Sequence, residues 1–133
     1  MEINGFVGDY LGAITDRWLL IAPKSNPGML EMFRDRDAAP LRDMVPWAGE
    51  FAGKYLTGAV QVLHVTHDAE LKTWLRDFVH TLIDLQDRDG YLGPWSAKDR
   101  LANRASNSAY KKRTWDTWGH YHVMLGLMIW HEE

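Results

Sequence analysis

The run Thr114-Trp115-Asp116-Thr117-Trp118-Gly119-His120-Tyr121-His122 brings two indoles, a phenol, two imidazoles and a carboxylate to the start of an apolar stretch. These groups suit a polyhydroxylated ligand: ring faces stack on polarised C–H patches, while imidazoles and carboxylates bond hydroxyls and carry protons. Trp47, Tyr91 and Trp95 also fall in or beside polar stretches, as do the carboxylates Glu50 and Asp89. Rings interleaved with His, Asp and Glu are the pattern expected of a carbohydrate site. Two carboxylates about 5 to 9.5 Å apart can hydrolyse a glycosidic bond, one protonating the leaving oxygen and the other acting as base or nucleophile.

Each residue has a plainer reading. Glu50 can pair with Lys54 one helical turn on, Asp116 can cap a helix, and each ring can pack a loop onto a scaffold. His120 and His122, two apart, point about 200° from one another on a helix and cannot chelate one metal. His122 lies in an apolar stripe and reads as a satisfied core histidine; His120, on the other side, is the better hydroxyl-bonding group. His64 and His67 lack a third ligand nearby, so no metal site is expected from them.

The formal charge of the 133-residue chain is −3, and its 15 basic residues are scattered. Stacking rings also suit single-stranded nucleic acid, but no basic groove accompanies them, so neither nucleic acid nor an anionic membrane is an expected partner. A neutral ligand is more natural. Without cysteine, the chain has no disulfide, zinc thiolate or thiol nucleophile of its own. No secretory leader or membrane-length apolar segment is recognised, and the compartment is left open. Seven tryptophans fit either a ring-lined pocket or a thick core.

Helical spacing must position these groups. Tyr10, Ile14 and Trp18 predict one stripe on a helix over residues 6–20, ended by Pro23. Residues 21–46 hold most of the prolines and predict loop with a short helical turn at 30–33. Residues 47–65 predict a second helix, apolar on most of its circumference and so buried on most of it. Asp68 should cap a third helix over 69–86, with Leu71, Trp74, Leu75, Phe78, Leu82 and Leu85 on one face and charged residues opposite. After the turn signals of "QDRDGYLGPW", a long polar loop leads to a fourth helix. Thr114 or Asp116 should cap this helix, which runs to the chain end and requires burial nearly all round.

Two-faced helices alternating with an amphipathic one suggest all-α antiparallel hairpins, part of an (α/α)6 barrel. Both long loops, 21–46 and 87–114, would then lie at the same end and carry the rings. The last helix has no stop signal, and four helices do not close a barrel. Residues 1–133 therefore read as the N-terminal piece of a single longer catalytic domain, or as a partial fold with apolar faces exposed.

From Val45 to Glu133 the sequence resembles the β-L-arabinofuranosidase-like glycoside hydrolases, family 127 and its relatives. The resemblance rests on "LQDRDGYLGPW", on the Gly-His of "WGHYHVMLGL" and on "GKYL". It implies a six-hairpin catalytic domain that cleaves terminal sugars in a pocket lined by aromatics and histidines, with His120 near the sugar and Tyr91 shaping the pocket. The best-known members use a cysteine nucleophile at a zinc bound by cysteine and glutamate, with a glutamate acid/base, all from later helices. This chain has none of those cysteines, so the resemblance leaves its catalytic residues unassigned and implies no cofactor within it. The expected activity is of the glycoside-hydrolase type, with the isolated chain inactive. His120, Tyr91, Trp118, Asp116, Trp95 and Glu50 are the expected substrate-binding residues. The rival expectation is a non-catalytic helical module that docks a protein partner, or a second copy of itself, through exposed apolar helix faces.

Overall fold

The computed structural model describes residues 3–101 and 114–133. Residues 102–113 of the long polar loop lie outside the described residues. The order is α1 (Phe6–Ile14), a π-helical turn (Thr15–Leu19), α2 (Ala22–Ser25), α3 (Gly28–Arg34), α4 (Glu50–Thr66), α5 (Ala69–Asp84) and α6 (Asp116–Glu132). There is no strand among the described residues, and no helix there is long and apolar enough to cross a membrane.

The first predicted helix is present, but its stripe is not the buried one. Thr15 Oγ1 donates to the Leu11 carbonyl at 3.0 Å, and the backbone widens into the π turn. Thr15 and Leu19, at the two ends of the π turn, are buried; of the predicted stripe, Ile14 packs partly buried against the core, whereas Tyr10 and Trp18 remain exposed. α1 itself buries no residue. Pro23 does not end a helix; it sits in the first turn of α2, where its missing N–H costs nothing. The segment read as mostly loop thus carries two short helices, and α3 delivers Met29 and Phe33 to the core.

α4 begins three residues later than its apolar pattern suggests, because Gly49 precedes it in a left-handed conformation (φ 96°). A side chain at Gly49 would also meet the ring of Pro94, 2.8 Å away. Asp68 caps α5 as expected, accepting from the Leu71 N–H at 2.8 Å. Leu71, Leu75, Phe78, Val79 and Leu82 are buried, and the charged face opposite lies in water. α5 runs back along α4: Tyr55 meets Phe78 with ring centroids 4.9 Å apart, and its hydroxyl accepts from the Trp74 indole.

α6 lies parallel to α4. Gly119 faces the Ala48–Glu50 backbone, Gly126 lies beside Gly53 and Leu56, and His64 near the end of α4 meets Glu133. A methyl group at Gly53 would collide with the His122–Val123 peptide, so glycine permits this close approach. Two parallel helices joined through an antiparallel outer one form the repeating pattern of an (α/α)6 barrel. The chain is all-α, and the N-termini of α4 and α6 share one end, as the order of loops required.

Two expectations for α6 do not hold. Neither Thr114 nor Asp116 caps it: Trp115 stands at the cap without a side-chain bond, and Asp116 is the first helical residue, facing inward. Nor is α6 buried nearly all round. It packs Gly119, Val123 and Gly126 on α4, while Trp118, Tyr121, Met124 and Met128 stay exposed. The reason is geometric: a helix that approaches one neighbour through glycines covers only a narrow strip of its surface.

The main core runs between α3, α4 and α5 and includes Leu19, Phe33, Tyr55, Leu56, Leu75 and Leu82. A second, smaller core of Met44, Ala48, Tyr91 and Trp95 seals the end where α4 and α6 begin.

Candidate functional site

The turn after α5 aims Tyr91. The Asp87 N–H donates to the Tyr91 carbonyl at 2.8 Å, Gly90 takes φ 90°, and Asp89 Oδ1 accepts from the Tyr91 N–H at 3.0 Å. The phenol is thereby directed inward. Its hydroxyl donates to the Asp116 carboxylate, 3.0 and 3.1 Å from the two oxygens, and accepts from the Trp95 N–H at 3.2 Å. Burial, followed by the charge of Asp116, pushes the Tyr91 hydroxyl well above the ordinary phenol value, so it remains a proton donor.

Asp116 is 1% exposed. Besides Tyr91, its Oδ2 accepts from the Leu101 N–H at 2.9 Å, and its Oδ1 lies 3.3 Å from His120 Nδ1. His120 Nδ1 is also 2.9 Å from the Asp116 carbonyl. Both neighbours of Nδ1 are acceptors, so Nδ1 carries the proton, which makes Nε2 the acceptor in the neutral ring. The hydrogen bond to the Asp116 side chain holds the imidazole above its ordinary pKa. The His120 ring lies 4.9 Å from the Tyr91 ring. Gly93 leaves room for both: a methyl there would strike the Tyr91 phenol and come within 3.0 Å of His120 Cε1.

Two guanidiniums hold Tyr91. Arg36 donates to the carbonyls of Phe33 (2.6 Å), Tyr91 (3.3 Å) and Leu85. Arg100 lies 4.2 Å from the Tyr91 ring centroid and pairs with Asp87 and, at 2.8 Å, with Asp89. Asp89 is thus committed to Arg100 and to the Tyr91 backbone. Neither arginine stood out in the sequence. Arg36 lies 55 residues from Tyr91, and Arg100 sits in a stretch with no periodicity.

The other candidates form a second group. Glu50 Oε1 takes Lys54 Nζ at 2.9 Å, the pairing that spacing had offered, and its Oε2 accepts from the Trp118 indole. Trp118 is exposed, has Lys54 Nζ over its ring at 5.7 Å, stacks near Tyr121 at 5.8 Å, and makes an edge contact with His122 at 4.6 Å. Trp47 and Trp115 pair at 5.8 Å, where the Trp115 N–H donates to the Pro46 carbonyl. His122 is not a satisfied core histidine. It nests among rings with Nε2 buried and unpartnered among the described residues, and burial, followed by Lys54, lowers its pKa. Trp95 is fully buried in the smaller core, so its ring packs and presents no face to solvent.

The structure therefore brings together Tyr91, Asp116 and His120 on one side of α6, and Glu50 with Trp118 on another, at the same end of the helices. His64 bonds Glu133 at 3.1 Å. Among the described residues no three His, Asp or Glu side chains gather as a metal site, and the chain has no cysteine. These residues do not match a cysteine-and-glutamate zinc centre.

No curated protein and no solved structure matches the chain. The model of the β-L-arabinofuranosidase, GH127 catalytic domain matches residues 16–133, reaching back beyond Val45 to include the π turn, α2 and α3. With nearly the whole sequence inside that match, the chain belongs to the family of GH127 β-L-arabinofuranosidase catalytic domains, a carbohydrate-active family of glycoside-hydrolase type.

Proposed function

We propose that this chain supplies the sugar-recognising end of a glycoside-hydrolase domain that acts on terminal sugar residues of glycans. The observation that carries the reading is the Asp116–His120 pair, whose oriented imidazole can accept from, or when protonated donate to, a sugar hydroxyl at Nε2. Tyr91 holds the carboxylate that orients the imidazole. The exposed Trp118 indole, braced by Glu50, suits the C–H patch of a sugar ring, and Glu50 offers a carboxylate to a hydroxyl at its rim. Trp95 supports this end from within. Bond cleavage is assigned to none of these residues, since Asp116 and Glu50 are both engaged by intramolecular partners.

The test is a titration of the chain with methyl β-L-arabinofuranoside, followed by amide shifts. The expected result is a saturable response at residues around His120, weakened about tenfold or more in His120→Ala, equivalent to roughly 1.4 kcal/mol. Wild-type affinity in that variant overturns the assignment.

A second reading is favoured by the exposed stripe Trp118, Tyr121, Met124 and Met128 on α6, with Met128 63% exposed. This face would dock a protein partner or a second copy of the chain. Light scattering decides the self-association arm: a discrete dimer abolished by Met128→Lys supports it, and a monomer at all concentrations counts against it.

A further inference from the structure

Asp116 is placed by two donors that lie outside its own helix, the Tyr91 hydroxyl and the Leu101 N–H. Both lead to Arg100. Its guanidinium covers the Tyr91 ring, and the next peptide in the chain is the one that donates to Asp116 Oδ2. Leu101 takes φ 51°, a left-handed conformation uncommon for a residue with a bulky side chain. The Arg100 side chain is held by Asp87 and Asp89, while its Nε reaches the Trp95 carbonyl at 3.4 Å. Asp116 and Tyr91 face His120, and Arg36 and Arg100 in turn face Tyr91.

We propose that Arg100 is a positioning residue for His120. Tethered by Asp87, Asp89 and Asp37, it fixes Tyr91 and the Leu101 amide, and these hold Asp116 with its Oδ1 beside His120 Nδ1, where the carboxylate adds to the contact that the Asp116 carbonyl makes. The inference deepens the sugar-site reading, for which it supplies the device that presents Nε2 to a ligand. A residue that merely stabilised the turn would leave the titration of the His120 imidazole unchanged.

The experiment uses the chain labelled with 15N-histidine and records imidazole tautomer and titration by NMR in wild type, Arg100→Ala, Arg100→Lys and Asp89→Asn. Asp89→Asn keeps an oxygen for the Tyr91 N–H and turns the oxygen that accepts from Arg100 into an NH2 donor, removing that bond and its charge while Asp87 and Asp37 still face Arg100. The expected wild-type signature is a single Nδ1–H tautomer at His120. Arg100→Ala is expected to shift the His120 titration downward towards the ordinary imidazole value, while the Asp116 carbonyl keeps the Nδ1–H tautomer. Asp89→Asn should do the same more weakly, and Arg100→Lys should recover part of the effect, because an ammonium keeps the charge but not the flat guanidinium. An unchanged His120 titration in Arg100→Ala overturns the proposal; if that variant does not fold, the same result in Asp89→Asn does so. Adding methyl β-L-arabinofuranoside separates the two ideas: Arg100 dependence without any sugar response at His120 supports the positioning role and overturns only the sugar-site reading.

Discussion

The Tyr91 hydroxyl donates to the Asp116 carboxylate at 3.0 Å across 25 residues of chain, and this bond joins the turn after α5 to the first turn of α6. The carboxylate is almost completely buried, so each donor it keeps counts for more than a surface bond would. Tyr91→Phe removes this donor and also leaves the Trp95 N–H without its acceptor. The expected loss is about 1.5–3 kcal/mol in urea unfolding; a change below a few tenths would show that the contact contributes little.

Asp116→Asn tests the linkage to His120. Asp116 raises the folded-state pKa of His120 above its unfolded value. The resulting stability is fully present below the unfolded pKa of about 6.5 and is lost as pH rises through the folded value. The stability gap between wild type and Asp116→Asn should therefore be widest in mild acid and narrow on the alkaline side of the His120 titration. Urea midpoints at pH 5.5 and 8.5 read the difference, and a gap that widens with pH would contradict the assignment.

Gly53 and Gly58 form a matched pair on α4. A methyl at Gly53 meets the His122–Val123 backbone, whereas one at Gly58 meets nothing within 4 Å. Gly53→Ala should destabilise by about 1–3 kcal/mol through overpacking. Gly58→Ala should stabilise by up to about 1 kcal/mol through helix propensity. Thermal unfolding of both variants checks the opposite signs.

Asp68→Ala removes the acceptor for the Leu71 N–H at the start of α5. Its expected cost is about 0.5–2 kcal/mol. Asp68→Asn, which keeps a side-chain oxygen, should recover most of that loss in the same unfolding assay.

The sequence alone determined whatever depends on near neighbours. The apolar face and aspartate cap of α5, the Glu50–Lys54 pair and the short α4–α5 connection all follow from contacts within a few residues of chain, which periodicity and capping chemistry describe directly. So did the all-α hairpin order, and with it the shared end of α4 and α6. The tertiary structure decided what depends on distant approach. Asp116 looked like a cap because its helix position invites one; only the arrival of Tyr91 and Leu101 makes it a buried acceptor instead. Trp95 looked like a pocket wall until Met44 and Ala48 closed over it. On the π turn Thr15 and Leu19 are buried beside Ile14 while Tyr10 and Trp18 stay exposed, an outcome that apolar spacing alone does not encode. Arg36 and Arg100 carried no pattern, since an arginine's role rests on the carbonyls, carboxylates and ring that the fold brings within its reach.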